Sequence, residues 1–206
     1  MAKPFISVIL LAAGESSRMG EPKQTLSWEG TTLLQYQVSQ VAGTTAGEVI
    51  VVLGYNAKEF SELLPAVLAG PILKVVVNRN YQEGKTTSVK AGLANVDSRS
   101  RAVMVLAMDS PRTSNILQRL IDCHGEGKAP VTMPYHRGRE GHPPTISRAL
   151  FPEIRDISEE KRGLREVIER DPRRVRLVEF GTPLVLINLN SPQDYKRALG
   201  LVSTAH

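Results

Sequence analysis

The run Phe5-Ile6-Ser7-Val8-Ile9-Leu10-Leu11-Ala12-Ala13-Gly14-Glu15-Ser16-Ser17-Arg18-Met19-Gly20-Glu21-Pro22-Lys23 decides the fold class. Phe5 to Leu10 has the apolar, β-branched content of a strand buried on both faces. Small residues then mark a chain leaving the sheet at the strand's carboxyl end, where open α/β sheets bind ligands. Ala12, Ala13 and Gly14 carry almost no side chain, so a flat or anionic ligand can approach the backbone and meet its N–H donors. Arg18 and Lys23 return two positive charges to the same loop, a combination suited to polyphosphate. The plain alternative is a tight strand-to-helix turn with two solvated cations. Gly14 and Gly20 are too far apart for a Walker loop, Gly20 is not followed by Lys-Ser or Lys-Thr, and no Gly-x-Gly-x-x-Gly occurs.

Working outward, 206 residues suffice for one α/β domain with a sizeable core and are short for two. The content, 41% hydrophobic and 23% charged, is that of a soluble globular protein. A net charge of +5 raises nucleic acid as a partner, but only 5% of residues are aromatic. None of them interleaves with the densest basic cluster, Arg170, Arg173, Arg174 and Arg176, as a stacking platform requires. Small anionic substrates account for the excess charge, so no nucleic-acid partner is expected. The single cysteine, Cys123, excludes an internal disulfide and a cysteine metal cluster, and its apolar-periodic neighbourhood predicts a buried helix residue. Lys3 with Phe5 to Ala13 faintly resembles a signal peptide, but the glycine loop begins where cleavage would fall. The expected location is the cytoplasm, with no membrane span.

Further strands are predicted at Glu48 to Leu53, Ile72 to Val77, Ala102 to Ala107 and, shorter, Pro130 to Met133. Helices are predicted over Thr31 to Ala42, Ala57 to Leu68 (shortened or kinked by Pro65), Lys85 to Val96 and Ser114 to Cys123. Strands alternating with such crossovers predict a single-domain, three-layer α/β/α fold with a mostly parallel, Rossmann-like sheet. Residues 1–134 read as a nucleotide-binding half. From Arg137 the texture becomes charged and Pro-containing, so 135–206 read as an acceptor-side insertion with closing elements, continuous with the same domain. Val175 to Phe180 and Leu184 to Ile187 are expected as short strands, and Ser191 to Leu199 as a closing helix capped by Ser191.

Asp109 stands two residues past the apolar run Val103 to Ala107, which puts a carboxylate at the carboxyl edge of a central strand. Mg²⁺ on a polyphosphate needs only one or two such protein ligands. The alternative is an Asp that merely caps the next helix or orders the turn with Pro111.

Leu-Ala-Ala-Gly-x-x-Ser-Arg-Met-Gly-x-x-Lys over residues 11–23 resembles the signature of the MobA-like NTP transferase family, nearest its molybdenum cofactor cytidylyltransferase branch. The resemblance implies transfer of a nucleoside monophosphate, CMP from CTP, to a phosphorylated acceptor such as molybdopterin, with release of pyrophosphate. It implies Mg²⁺, with Mn²⁺ as a substitute, and a molybdoenzyme or chaperone that takes the product. Leu11, Ala12, Ala13, Gly14, Arg18 and Lys23 would hold the nucleotide together with Gly84 and Ser88. Arg18, Lys23 and Asp109 would be catalytic, Asp109 and Asn190 the metal ligands, and His142 of Gly-His-Pro with Arg165 the acceptor contacts.

The chain departs from the family pattern in several places. Met108 replaces a customary Gly, Asn188 and Asn190 replace acidic residues, and Lys161 stands where Arg162-Gly163-Leu164-Arg165 would follow an acid. An acceptor such as a sugar or polyol phosphate, or a non-catalytic delivery protein, therefore stays open at this point.

Overall fold

The computed structural model describes residues 4–65 and 70–203; the side chains of Arg18 and Ser203 lie outside the described set. The chain opens with strand β1 (Ile6–Ala12), buried at every position. A small hairpin follows, β2 (Ser27–Trp28) and β3 (Thr31–Thr32), and then helix α1 (Leu33–Ala42). Thr32 and Gln35 form a reciprocal capping box that starts α1. Next come β4 (Glu48–Leu53), α2 (Ala57–Glu62), β5 (Ile72–Val77), α3 (Lys85–Ala94) and β6 (Ala102–Ala107). The second half adds α4 (Ser114–Glu126), β7 (Val131–His136), β8 (Arg139–Glu140), β9 (Thr145–Ser147), α5 (Phe151–Arg155), α6 (Leu164–Glu169), β10 (Val175–Glu179) and α7 (Pro192–Ser203).

Apart from the β2–β3 hairpin, the strands form one eight-stranded sheet in the order β10-β7-β9-β6-β1-β4-β5, with β8 paired to β7. β1 is parallel to both β4 and β6, and β10 is parallel to β7, while β9 runs antiparallel between β6 and β7. Alternation divides the core into two layers. Ile6, Val8, Leu10 and Ala12 of β1 pack on one side with Leu34 and Val38 of α1 and Leu117 of α4. Ile9 and Leu11 pack on the other with Val89 and Leu93 of α3 and Ile154 of α5. The expected three-layer, mostly parallel architecture is therefore the one observed.

The sheet order dictates where a site can form. The chain winds from β1 through β4 to β5 on one side, then returns across β1 to lay β6 on the other. The order reverses between β1 and β6, and the crevice at such a switch point is where doubly wound sheets bind ligands. Pairing Leu11 with Ala107 brings the loop after β1 and the turn carrying Asp109 side by side.

Several expectations are corrected. Leu184 to Ile187 is no strand: Pro183–Leu186 is a 3-10 turn, started by the Thr182 hydroxyl accepting the Leu184 N–H. The helix from Ala57 ends at Glu62, and the outer part of its expected span, 66–69, lies outside the described residues. Cys123 is half-buried on α4 rather than fully enclosed. The segment after Arg137 adds β9 and β10 to the same sheet, continuous with β6 and β7. The Ser191 cap is found, its hydroxyl accepting the Asp194 N–H at 3.2 Å.

One buried histidine makes stability depend on pH. His124 on α4 meets Thr132 Oγ1 at 2.9 Å and Ser147 Oγ at 3.1 Å, and burial, then Arg176, push its pKa down to about 4. The unfolded chain binds this proton near the ordinary histidine value, so its contribution is complete above that pH and is lost as pH falls from there toward the folded value. We expect unfolding free energy to drop by up to about 3 kcal/mol across that window. In His124→Gln this part of the decline should vanish in denaturant titrations at a series of pH values.

Candidate active site

The loop after β1 folds back on itself. Ser16 adopts a left-handed conformation at φ 59°, a 3-10 turn spans Ser17–Met19, and Gly20 follows at φ 78°. The Met19 N–H then bonds Ser16 O at 2.8 Å, and the Lys23 N–H bonds Ser16 Oγ at 3.1 Å. This closure returns Lys23 above the end of β1. From the neighbouring strand, the turn after β6 presents Asp109, and Lys23 Nζ lies 3.9 Å from Asp109 Oδ2. The two side chains retain 13% and 28% of their exposure, so the pair is partly withdrawn from water yet open to a ligand.

Lys23 and Asp109 stand on one cleft of about 290 Å³, whose walls include Ala13, Gly14, Lys85 and Ser88. Leu11 also lines it, whereas Ala12 turns its methyl into the core. Ser88 Oγ accepts from Asn78 Nδ2 at 2.9 Å, which leaves the hydroxyl proton to donate toward the cleft. Gly84 differs. Glu159 packs against it closely enough that a Cβ would collide with Glu159 Cγ, and Glu159 Oε1 accepts the Thr86 N–H at 2.6 Å. A protein carboxylate thus covers Gly84 and caps the start of α3.

A second cleft of about 250 Å³ adjoins the first, sharing Lys85 and Ala107 with it, and takes in both His142 and Arg165. Its floor is apolar, with Val89, Val105, Met133 and Ile168. Glu169 bridges the guanidinium groups of Arg162 at 2.8 Å and Arg165 at 3.0 Å, so the rim charge is partly neutralised. The surrounding protein, then Lys85 and Arg112, push the exposed His142 imidazole below the usual histidine range, which leaves it neutral at pH 7. A neutral ring there is a hydrogen-bonding surface, not a cation.

Two expected residues remain. Arg18 sits in the turn Ser17–Met19, with its side chain outside the described set. Asn190 is exposed and lines a separate depression with Asp194 and Arg197. Its neighbour Asn188 is the amide connected to Asp109. Ser110 Oγ lies 3.0 Å from Asp109 Oδ1 and 2.7 Å from Asn188 Oδ1, and the Leu189 N–H bonds Asp109 O at 2.7 Å. One hydroxyl proton cannot serve both oxygens fully. With the amide of Asn188 turned over, Asn188 donates to Ser110 and Ser110 donates to Asp109.

Among the described residues no group of three His, Cys, Asp or Glu side chains forms a metal cluster. The oxygen donors that do gather there, the Asp109 carboxylate with the Ser110 hydroxyl and the Asn188 amide behind it, are hard oxygens. They fit a divalent ion that arrives on a polyphosphate and keeps most of its waters.

Sequence reasoning passed over four residues of the site. Lys85 follows Gly84 and belongs to both clefts. Gln24 and Gln37 hold the strand ends, and buried Arg112 joins three segments behind Asp109. No local pattern marks these residues; their roles exist only once the chain is folded.

A model of the MobA-like NTP transferase domain matches residues 8–175. The chain is 30% identical over 186 residues to nicotine blue oxidoreductase of Paenarthrobacter nicotinovorans, covering 85% of this chain and 87% of that one. It is 31% identical over 144 residues to molybdenum cofactor cytidylyltransferase of Escherichia coli, covering 69% and 70%. A nucleotidyl transferase structure from Methanothermobacter superposes with a TM-score of 0.82 at 25% identity, over 98% of this chain and 99% of that one. No described helix is long and apolar enough to cross a membrane.

Proposed function

This chain belongs to the MobA-like NTP transferase family, and from that premise we propose that it transfers CMP from CTP to a phosphorylated acceptor, molybdopterin, and releases pyrophosphate. The observation that carries the reading is the approach of Lys23 to Asp109 across the switch-point cleft, with a second, apolar-floored cleft joined to it at Lys85. The first cleft takes the triphosphate and the second the acceptor. The reacting atoms then meet at the seam, near Lys85 and Ala107.

An acceptor phosphate oxygen attacks the α-phosphorus as the bond to the bridging oxygen breaks. The acceptor phosphate is already ionised at neutral pH, so no general base is needed, and the chain's task is positioning and charge neutralisation. Lys23 meets charge growing on the leaving phosphates, and Lys85 faces both substrates. Arg18, on the same loop, adds a third cation. Gly14 carries no side chain and Ala13 only a methyl, so the phosphates can approach the backbone closely. Ser88 offers its hydroxyl to a carbonyl on the base edge, and the Leu-Ala-Ala-Gly form of the loop favours cytosine over guanine. Asp109, backed by the Ser110–Asn188 pair, would hold Mg²⁺ or Mn²⁺, which when bound neutralises phosphate charge as a Lewis acid. The Val89, Val105, Met133 and Ile168 floor suits a flat ring system better than a polyol, with neutral His142 and Arg165 at its rim.

The test is pyrophosphate release from CTP, GTP, ATP and UTP with Mg²⁺ or Mn²⁺, offering molybdopterin and polyol phosphates in turn. The expected result is release with CTP and molybdopterin. Release with another pair corrects the substrates and keeps the chemistry. Since one relative carries the name of an oxidoreductase, the readout must be pyrophosphate and not nucleotide binding. Binding without release on any pair would overturn the reading and leave a delivery protein.

A further inference from the structure

We infer that Gln24 and Gln37 are the positioning residues of the site, each giving up its own acceptor to pin the carbonyls that end β1 and β6 away from the phosphate path. The inference rests on the triphosphate reading of the first cleft. Gln24 is 1% exposed, and its Nε2 donates to Ala12 O at 2.7 Å and to Gly14 O at 3.1 Å. Gln37 on α1 is fully enclosed, and its Nε2 donates to Met108 O at 3.0 Å and to Ala107 O at 3.3 Å. Both protons of each amide are therefore spent, on carbonyls at the carboxyl ends of two neighbouring strands.

The oxygens of the two amides are the unusual feature. Among the described residues neither Gln24 Oε1 nor Gln37 Oε1 finds a donor, and both are buried. Turning either amide over would face its oxygen toward carbonyl oxygens, so the orientation is fixed by chemistry. An unpaired buried acceptor costs stability and calls for an explanation, and here two occur, one on a residue that lines the cleft and one behind the turn that carries Asp109.

The benefit lies on the opposite side of each peptide. In a trans peptide the C=O and the following N–H point opposite ways. Holding Ala12 O and Gly14 O inward turns the Ala13 and Glu15 N–H groups away from Gln24, on the stretch that walls the cleft. Holding Met108 O does the same for the Asp109 N–H and fixes the turn from which that carboxylate projects. The negative ends of these carbonyl dipoles are thereby kept from an incoming triphosphate, and positive ends are offered before it arrives. Gln24 also couples Lys23, its chain neighbour, to the end of β1.

Methionine keeps the side chain's length and removes donor and orphaned acceptor together. CTP with Mg²⁺ is titrated by calorimetry into the full chain and into Gln24→Met and Gln37→Met, and each protein's thermal midpoint is read without nucleotide. We expect either variant to bind CTP about tenfold or more weakly, while its nucleotide-free midpoint stays within a few degrees of the parent. A brace with no part in binding would behave oppositely, with a lower midpoint and CTP affinity within twofold, and that result overturns the inference while leaving the triphosphate reading intact. A parent chain that binds none of CTP, GTP, ATP or UTP overturns both. If a Met variant does not fold, Gln24→Glu or Gln37→Glu takes its place in the same titration. A chain that folds with neither replacement marks the amides as scaffold and overturns the inference as well.

Discussion

Lys23→Ala and Asp109→Ala are each expected to lower kcat/KM by about 10²–10³-fold, a barrier increase of about 3–4 kcal/mol, the effect of deleting one preorganised charge contact. The loss should fall mainly on kcat, because both groups act on charge that grows as pyrophosphate departs. Stability should move little. The pair is 3.9 Å apart and partly exposed, so its contribution is discounted to about 1 kcal/mol or less. Lys23→Arg should not restore activity, since a planar fork cannot occupy the place of a compact ammonium behind Ser16 and Gly20. Asp109→Asn separates charge from shape: it keeps the turn held by Leu189 and Gln37 and removes the anion. Pyrophosphate release followed for the two alanine variants decides the matter. Parent-like turnover in both, with the fold intact by circular dichroism, would end the nucleotidyl-transfer reading of this cleft.

Only half of the convergence of these two residues was legible in the sequence. β1 and β6 are recognisable as buried apolar runs, and Asp109 stands two residues past Ala107, so its place at the carboxyl edge follows from the strand. Lys23 stands eleven residues past Ala12 and is brought back by the left-handed turn at Ser16 and Gly20, which the local pattern does not announce. The same logic fails for Leu184 to Ile187. An apolar run of that length reads as a strand, yet Pro183 and the Thr182 cap bend it into a turn whose Val185 and Ile187 carbonyls go to the Arg112 side chain. Tertiary hydrogen bonding, invisible in the local pattern, decided its conformation. β9 was also hidden, since its three residues are too few for periodicity and take their place from neighbours on both sides. Lys85 looked like an ordinary first-turn residue. Its importance comes from α3 starting at the seam between two clefts, which depends on how the strands are ordered. Asn190 had the stronger likeness to a family ligand, yet Asn188 is the amide hydrogen-bonded through Ser110 to Asp109.

Arg112→Met is expected to cost about 3–5 kcal/mol of stability, the scale for breaking a buried, hydrogen-bonded charge. Arg112 is 2% exposed, and its fork donates to His142 O at 2.7 Å, Pro111 O at 2.7 Å, Val185 O at 2.8 Å and Ile187 O at 3.1 Å. Burial pushes its pKa down to about 9, so it stays charged at pH 7, with Asp109 the opposing charge it feels most. One guanidinium therefore ties together the turn that carries Asp109, the loop that carries His142 and the segment that leads to Asn188. Methionine fills much of the volume but removes the donor from His142 O, Pro111 O and Ile187 O in a place water cannot easily reach, while Val185 O keeps only the His142 N–H. For a chain of this size the loss should appear as a fall in thermal midpoint of about 10 °C. Arg112→Lys should recover only part of it. An ammonium keeps the charge, but its three donors leave a short stem's end and cannot span carbonyls arranged around a planar fork. Activity should decline further than unfolding explains. In the folded fraction, Asp109 and His142 would no longer share an anchor, so the nucleotide and acceptor clefts could drift relative to each other. A methionine variant as stable as the parent would show that these carbonyls are satisfied by other means and that Arg112 is not the tie between the two clefts.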